Sequence, residues 1–230
     1  MSNARERLTH LVELASAPEK QPALATELCD LLIDWPADYS SAMRAPFEAL
    51  LEKVAREIDG PTRRRLATRL AAYAETPLDL LNEFFFDLPL ESRNAILARN
   101  DEAGDGSIAP APAPEVEAGL VETLRRSDRD HFAAALGTFL GIDAMTAAQI
   151  LDDHSAGALA VACRGAHLER ATFSALALLA NGRTFDTLES RYARLGAIDG
   201  IPKAGAEALL DFWRARRDVV TARESDVQAA

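Results

Sequence analysis

The chain has 230 residues, 27% of them charged, and a formal net charge of −11 at pH 7. This length allows one or two domains. An acidic surface repels nucleic acid and anionic lipid unless a local basic patch overrides the mean charge. No apolar run reaches the roughly 20 residues of a membrane span, and the charged N-terminal segment has no signal-peptide core. We therefore expect a cytoplasmic protein with no membrane partner.

The N-terminal part of the chain shows helical spacing of its apolar residues. Gly60 and Pro61 are predicted to end the third helix, and Thr76 and Pro77 to cap and open the fifth. A short sixth helix is predicted over "LESRNAILAR". The five apolar stripes that predict the preceding helices lie at residues 8–15, 24–35, 47–58, 66–74 and 80–86.

The fifth predicted helix carries Phe84, Phe85 and Phe86 side by side. Successive residues of a helix point about 100° apart, so one stripe cannot bury all three rings. An inner helix of a solenoid is covered on several sides by its hairpin partner and its neighbouring repeats. We therefore predict that at least two rings are buried and that the third lies at an end or an interface.

An alternating Ala-Pro stretch, "NDEAGDGSIAPAPAPE", interrupts the helical pattern, because it prevents helix and favours extended polyproline geometry. The polar C-terminus is predicted to fray. The predicted organisation is an N-terminal helical-repeat half (1–104), an Ala/Pro-rich linker (105–114), a C-terminal helical half (115–222) and a tail (223–230).

The C-terminal half continues the helical pattern. Ser127 and Ser155 are predicted N-caps, and Gly165 and Gly182 are predicted helix ends. Neither half shows strand-like alternation, so the predicted fold class is all-α: stacked antiparallel helix hairpins that form a HEAT-like solenoid in two helical halves. The sequence has no repeat of fixed period, so any repeats are structural.

The sequence offers little chemistry. Cys29 and Cys163 lie far apart in apolar helical patterns, which favours buried free thiols over a disulfide. His10 and His167 have no obvious partners. No GxSxG motif and no Gly-rich phosphate loop occurs. The sequence therefore predicts no catalytic residue, no cofactor and no metal ligand.

Two histidines nevertheless leave an enzymatic or phosphotransfer function open. Asp152, Asp153 and His154 gather two carboxylates and an imidazole, but a structural metal site needs three or four converging ligands, and a turn at a helix end is the favoured interpretation. An exposed His131 could accept a phosphoryl group, as in histidine phosphotransfer domains. Those domains usually place Lys-Gly after the histidine, where this chain has Ala-Leu-Gly.

Arginines cluster in "TRRRLATR", and a second cluster, "WRARRD", lies near the C-terminus. Arginines early in a helix oppose its dipole, which makes the first cluster the more interesting one. Because acidic residues stand near both clusters, salt bridges are the favoured interpretation, ahead of an acidic patch on a partner protein and of nucleic acid. The candidate partner-binding residues are Arg63, Arg64, Arg65, Arg69 and Phe85.

Two stretches carry recognisable patterns. "REIDGPTRRRLATRLAAYAETPLDLLNEFFFDLPLESRNAILARND", residues 56–101, contains "R..LA..LA", "TP..LL" and "PLESRNAIL". "ILDDHSAGALAVACRGAHLERATFSALALL", residues 150–179, is similar to "GLA.ACR..GL.R..F.AL". Both stretches resemble the alphaproteobacterial family catalogued as domain of unknown function 2336. The resemblance implies a HEAT-like all-α fold and transfers no catalytic residue.

The favoured hypothesis is a non-catalytic protein–protein interaction or scaffold module, because a solenoid offers a long continuous binding surface. The expected partner is another protein, and self-association is left open. The alternatives are an enzyme or phosphotransfer protein that uses His131 or the group Asp152, Asp153 and His154, and nucleic-acid binding through the helix of residues 63–69, which the acidic composition disfavours.

Overall fold

The computed structural model describes residues 2–37, 39–104, 110–180 and 187–228, with side chains between residues 6 and 217 of those ranges. Thirteen α-helices, four short 3-10 helices and no strand occur in these ranges, which confirms the predicted all-α class. The chain forms two compact units, Met1–Arg93 and Asn94–Ala230.

The first unit is built around its second helix, α2. Helix α2 packs against α1, α3 and α4. Its buried side chains include Leu24, Leu28 and Leu31, spaced so that they lie on the side that faces these helices. The helices of this unit are α1 (Ser2–Ala15), α2 (Gln21–Ile33), α3 (Arg44–Ala55), α4 (Gly60–Ala72), α5 (Leu78–Glu83) and the start of α6 (Leu90–Ala103), with 3-10 helices at Pro18–Lys20, Ser41–Met43 and Phe85–Asp87.

The prediction that Gly60 and Pro61 end the third helix is wrong, because both residues lie in the first turn of α4. Asp59 is the N-cap, and its Oδ1 accepts a hydrogen bond from the backbone N–H of Thr62 at 2.9 Å. Proline is tolerated in the first turn, where its missing N–H would have had no helical partner. Because Asp59 caps α4, Gly60 and Pro61 begin that helix and do not end α3.

Thr76 and Pro77 also differ from their predicted roles. Helix α5 begins at Leu78, and Pro77 is its N-cap residue. Thr76 is buried, and its Oγ1 donates to the carbonyl of Leu70 at 2.7 Å, so it satisfies the end of α4 instead of the start of α5. A threonine between two helices can form a hydrogen bond with either helix, and Thr76 bonds to the preceding one.

The prediction that the three phenylalanines share one α-helix is wrong. Helix α5 ends at Glu83, and a 3-10 helix, Phe85–Asp87, follows. Phe84 and Phe85 are buried and Phe86 is half-buried, which confirms that two of the three rings are buried. The rings of Phe85 and Phe86 meet edge to face with their centroids 5.7 Å apart.

The second unit is built around α10 (Gly157–Gly165), in which every residue except Arg164 is buried. A helix that is apolar on all sides is a core helix. Helices α9, α11 and α13 and the 3-10 helix Ala197–Gly200 pack against it. The other helices of this unit are α7 (Pro114–Arg126), α8 (Arg129–Leu140), α9 (Ala144–Asp152), α11 (Arg170–Ala180), α12 (Leu188–Gly196) and α13 (Lys203–Gln228).

Two glycines allow α13 to approach its neighbours closely. A Cβ on Gly165 would stand 2.5 Å from the carbonyl oxygen of Ala206, and one on Gly205 would stand 2.2 Å from the carbonyl oxygen of Leu97. Asp101 Oδ1 accepts the backbone N–H of Gly205 at 3.0 Å, which satisfies a free donor in the first turn of α13. These positions have room for glycine and for no other residue.

The predicted serine caps differ in outcome. The N-cap of α8 is Asp128 and not Ser127. At α10 the prediction holds in part, because Ser155 Oγ accepts the backbone N–H of Gly157 at 3.1 Å. Gly182, predicted to end a helix, lies outside the described residues.

The division between the units falls within α6, at Arg93 and Asn94. Of the predicted linker, residues 105–109 are not among those described, and residues 110–113 have no regular secondary structure. Helix α13 continues to Gln228 through most of the segment that was predicted to be a frayed tail.

Among the described residues, no single helix is both long enough and apolar enough to cross a membrane. Helices α8 and α9 meet that test of length and composition only as a pair, and the chain bends by 114° between them.

The close contact between α10 and α13 predicts that adding one methyl group at Gly165 destabilises the fold. Gly165→Ala should lower the free energy of unfolding in urea by about 1–3 kcal/mol, the usual cost of overpacking. Gly119→Ala is the matched control, because Gly119 is exposed in α7 and has no atom within 4 Å of an added Cβ. This change should raise stability by up to about 1 kcal/mol. Equal effects would contradict the packing.

The phenylalanines predict an ordered series. Phe84→Ala and Phe85→Ala should each lower the free energy of unfolding by about 3–5 kcal/mol, because each removes a buried ring. Phe86→Ala should cost clearly less, because Phe86 is half-buried. Chemical denaturation of the three variants measures the series, and three similar losses would refute it.

Candidate interaction surface

Arg63, the first of the candidate partner-binding residues, points into the first unit. Its Nε donates to Asp87 Oδ2 at 2.8 Å and its Nη2 donates to the carbonyl of Glu83 at 3.0 Å. Its Nη1 donates to the carbonyl of Ala55. The guanidinium carbon lies 5.1 Å from the centre of the Phe84 ring. Arg63 thus joins α3, α4 and the Phe-rich turn.

The buried carboxylate of Glu83 explains why an arginine stabilises position 63. Its side chain is 0% exposed. Arg56 Nη2 lies 3.4 Å from its Oε2, and Arg63 Nη1 lies 3.7 Å from its Oε1. A buried carboxylate is costly unless it is paired. The two arginines therefore allow Glu83 to lie in the interior.

The other three candidate arginines lie nearer the surface of α4. Arg64 and Arg65 are exposed, and Arg65 Nη2 donates to Thr62 Oγ1 at 3.3 Å. Arg69 forms an ion pair with Asp30 of α2. The predicted cluster is therefore divided: Arg63 lies inside, Arg69 joins two helices, and Arg64 and Arg65 face solvent.

Phe85 and the second arginine cluster also make internal contacts. The Phe85 ring is buried, with the guanidinium carbon of Arg93 5.3 Å from its centre. In the second unit, Arg214 Nε donates to the carbonyl of Leu140, at the end of α8, at 2.8 Å. A partner-binding role for Phe85 stays a prediction, and its burial does not favour it.

The acidic cluster before α10 forms a turn, the interpretation that the sequence favours. Asp152 pairs with Arg129, and Asp153 Oδ2 accepts the backbone N–H of Ala158 at 2.8 Å. His154 Nδ1 donates to the carbonyl of Asp152 at 2.8 Å. Within the ranges that the structure describes, no group of three or more His, Cys, Asp or Glu side chains is arranged to hold a metal ion.

His131 lies in the first turn of α8 and is 80% exposed. Its Nδ1 lies 2.8 Å from Oδ1 of Asp128, the N-cap of the helix. The carboxylate accepts, so Nδ1 carries the hydrogen and Nε2 is the nitrogen that can bind a ligand. The hydrogen bond to Asp128 raises the pKa of His131.

The environment of His167 was not predicted from the sequence. His167 has φ of 56° and occupies the left-handed position after α10, where glycine is usual. Its N–H donates to the carbonyl of Arg164 at 3.2 Å, and the N–H of Leu168 donates to that of Cys163 at 2.9 Å. These two bonds form a Schellman motif, which closes the end of α10.

The His167 side chain is buried beside a carboxylate. Its side chain is 7% exposed, and its Nε2 lies 2.7 Å from Glu207 Oε1 on α13. Burial lowers the pKa of His167, and the nearby cations Lys203, Arg164 and Arg214 lower it further, against the opposite effect of Glu207. A neutral imidazole at the end of α10 therefore lies against a carboxylate of α13.

Both cysteines are free and buried, as expected. Burial raises the pKa of Cys29 to about 11 and also raises the pKa of Cys163. Protonated thiols are poor nucleophiles and poor metal ligands. The cysteines therefore act as small apolar residues in the two cores.

Helices α11 and α12 place apolar side chains in solvent. Leu188 and Tyr192 of α12 are 69% and 68% exposed, and no residue of α12 is buried. Helix α11, which packs against α12, exposes Leu178 and Leu179. We call these four residues the α11–α12 surface. An exposed group of large apolar side chains is typical of a binding site.

Local contacts hold α12 in place. Thr187 caps it, with Oγ1 accepting the backbone N–H of Ser190 at 3.2 Å. The 3-10 helix after α12 is tied to α11 by Arg170, whose Nε and Nη2 donate to the two carboxylate oxygens of Asp199 at 2.9 and 2.7 Å. The start of α12 is therefore capped and the segment after it is anchored to α11, while Leu188 and Tyr192 remain exposed.

Residues 113–211 match the profile of a bacterial family described as "Uncharacterised protein conserved in bacteria (DUF2336)". The matched region contains His167 and the α11–α12 surface. It also contains residues 150–179, one of the two stretches that carry the resemblance, whereas residues 56–101 lie outside it. Searches of curated proteins and of solved structures gave no match.

The buried Glu83 predicts unequal roles for neighbouring arginines. Arg63→Ala should lower the free energy of unfolding by about 3 kcal/mol, because it removes a partner of a buried charge. Arg64→Ala, on the exposed face of the same helix, should change it by less than about 0.5 kcal/mol. Urea denaturation measures both. A neutral Arg63→Ala would show that Glu83 does not need this partner.

His167 predicts a stability that depends on pH. Its pKa is lowered in the folded chain, so below the ordinary value of about 6.5 the unfolded chain takes up a proton that the folded chain does not. The free energy of unfolding should therefore fall between about pH 7 and pH 5, and His167→Asn, which tolerates positive φ, should reduce the fall.

The control for this pH dependence is His131→Ala. The raised pKa of His131 stabilises the folded chain at low pH, so its removal should make the fall on acidification larger. Denaturation curves recorded across this pH range test both changes. Equal pH slopes for the wild type and His167→Asn would contradict a buried neutral histidine.

Proposed function

We propose that this protein is a non-catalytic interaction or scaffold module, and that the α11–α12 surface contacts another protein. The supporting observation is that α12 turns its apolar residues to solvent, with Leu188 and Tyr192 more than two-thirds exposed. A short isolated helix is marginal in water and gains stability when its apolar face is covered. Covering this surface with a partner would remove apolar area from water.

The same proposal includes finer features that were predicted from the sequence or implied by the family resemblance. We propose a HEAT-like repeat arrangement, alphaproteobacterial relatives and a cytoplasmic location. Within the first unit, packing of α2 against α1 and α3 supports successive helix hairpins. Buried protonated Cys29 and Cys163 fit a reducing compartment.

A phosphotransfer function is the second candidate, and the geometry of His131 favours it. Asp128 holds Nδ1 at 2.8 Å and leaves the exposed Nε2 as the acceptor. Acetyl phosphate is a suitable phosphoryl donor for a test. On this alternative, the wild type would form an acid-labile phosphohistidine and His131→Gln would not. Absence of labelling in the wild type would remove the alternative.

Two further alternatives have less support. Asp152 and Asp153 are engaged in an ion pair and a helix cap, which gives an enzymatic role little to build on. For nucleic-acid binding, Arg63 is engaged inside the first unit and Arg69 pairs with Asp30. Arg64 and Arg65 are exposed, as is Arg69 beside its acidic partner.

Capture from cells tests the interaction function. Tagged full-length protein carrying Leu188→Ser and Tyr192→Ser should lose at least about tenfold of the partner that the wild type retains, because the contact loses its apolar centre. Quantitative mass spectrometry of the retained proteins measures the loss.

Val12→Ser is the matched control, because Val12 is similarly exposed but belongs to the first unit. It should retain the partner at the level of the wild type. Equal capture by the wild type and the double variant would contradict the proposed surface.

A further inference from the structure

We infer that the α12 stripe, defined as Leu188, Tyr192 and Leu195, docks an amphipathic helix of another protein that carries an acidic residue facing Arg191. This inference rests on the proposed interaction function and names the partner class. It follows from the spacing of the apolar residues, from the charges beside them and from the contacts that a second copy of the chain would make.

The apolar residues of α12 have the spacing of a coiled-coil seam. Leu188, Tyr192 and Leu195 are separated by four and then three residues, so they fit heptad positions d, a and d. Leu188 and Tyr192 are exposed and Leu195 is half-buried. A helix laid along this stripe can insert its own apolar side chains between them.

The charges beside the stripe are asymmetric. In the same heptad assignment, Glu189 lies at position e and Arg191 at position g, on opposite sides of the seam. Both residues are exposed. Charges at these two positions set the choice and the orientation of a partner helix. The Arg191 side selects a carboxylate, which a guanidinium binds with defined geometry.

A second copy of the chain that pairs through its own α12 does not supply that carboxylate. In an antiparallel pair of α12 helices, position g faces position g, so Arg191 would meet Arg191 of the other copy. In a parallel pair, position g faces position e of the next heptad, which is Gly196. Neither arrangement gives Arg191 an acidic partner, so charge complementarity favours a different protein.

A lipid surface is a poorer occupant than a protein helix. Helix α12 has nine residues, and the chain carries a net charge of −11, which opposes approach to anionic lipid. A protein helix satisfies both the apolar stripe and Arg191 at once. Lipid is therefore an outcome that the test must separate from protein.

Site-specific photocrosslinking in the native host cell tests this inference. The full-length protein carries p-benzoyl-phenylalanine in place of Tyr192, and mass spectrometry maps the segment that becomes crosslinked. The expected segment is an amphipathic helix of another protein with Asp or Glu beside its apolar seam. The same photoreactive residue in place of Val12 is the positional control.

Charge reversal then tests Arg191 itself. Arg191→Glu should lower the crosslink yield by at least about tenfold, and replacing the facing acidic residue of the partner with Lys should restore the yield to within about twofold. Arg126→Glu is the matched control, because Arg126 is exposed on a different helix, α7, and should leave the yield unchanged.

The outcomes separate this inference from the proposed function. Two outcomes overturn the inference and leave the interaction function standing. In the first, the photoreactive residue at position 192 crosslinks to a protein segment that lacks the acidic residue. In the second, Arg191→Glu leaves the crosslink yield unchanged. A crosslink to lipid or to a second copy of the chain overturns the inference and the proposed partner class together. No crosslink from Tyr192 overturns both proposals.

Discussion

The close contact between α10 and α13 is the constraint on which the second unit depends. Gly165 lets the backbone of α13 come so near that a Cβ would collide with Ala206, and α10 is buried on all sides except at Arg164. Helices α9, α11 and α13 cover α10. Helix α12 buries none of its residues, and Leu188 and Tyr192 of its apolar stripe are exposed to solvent. The surface that we propose for binding is thus a consequence of how the core is filled.

Helix formation was predictable from the sequence, because it depends on local periodicity that twenty-odd consecutive letters reveal. The ends of helices were less so. Asp59 and Thr76 stand between two helices, and a side chain there can bond to the helix before it or to the one after it. Tertiary packing decides which helix the side chain bonds to, and the spacing of a few residues does not predict that packing.

The candidate site was harder to predict, because its residues act through partners that are distant in the chain. The residues next to Arg63 in the sequence do not predict that the buried side chain of Glu83 lies beside it. His167 lies two residues after Gly165, which suggests a helix end, but Glu207 lies on another helix. The α12 stripe was not singled out because an amphipathic helix is ordinarily taken to bury its apolar side, and only the structure places Leu188 and Tyr192 in solvent.

Hydrogen exchange of the backbone amides tests most directly whether α12 is peripheral to a core that is complete without it. We predict that amides of α10 exchange only through global unfolding, and that those of α12 exchange at least about a hundredfold faster through local opening. Equal protection of the two helices would contradict this account, because it would make α12 a cooperative part of the core and not a surface held ready for a partner.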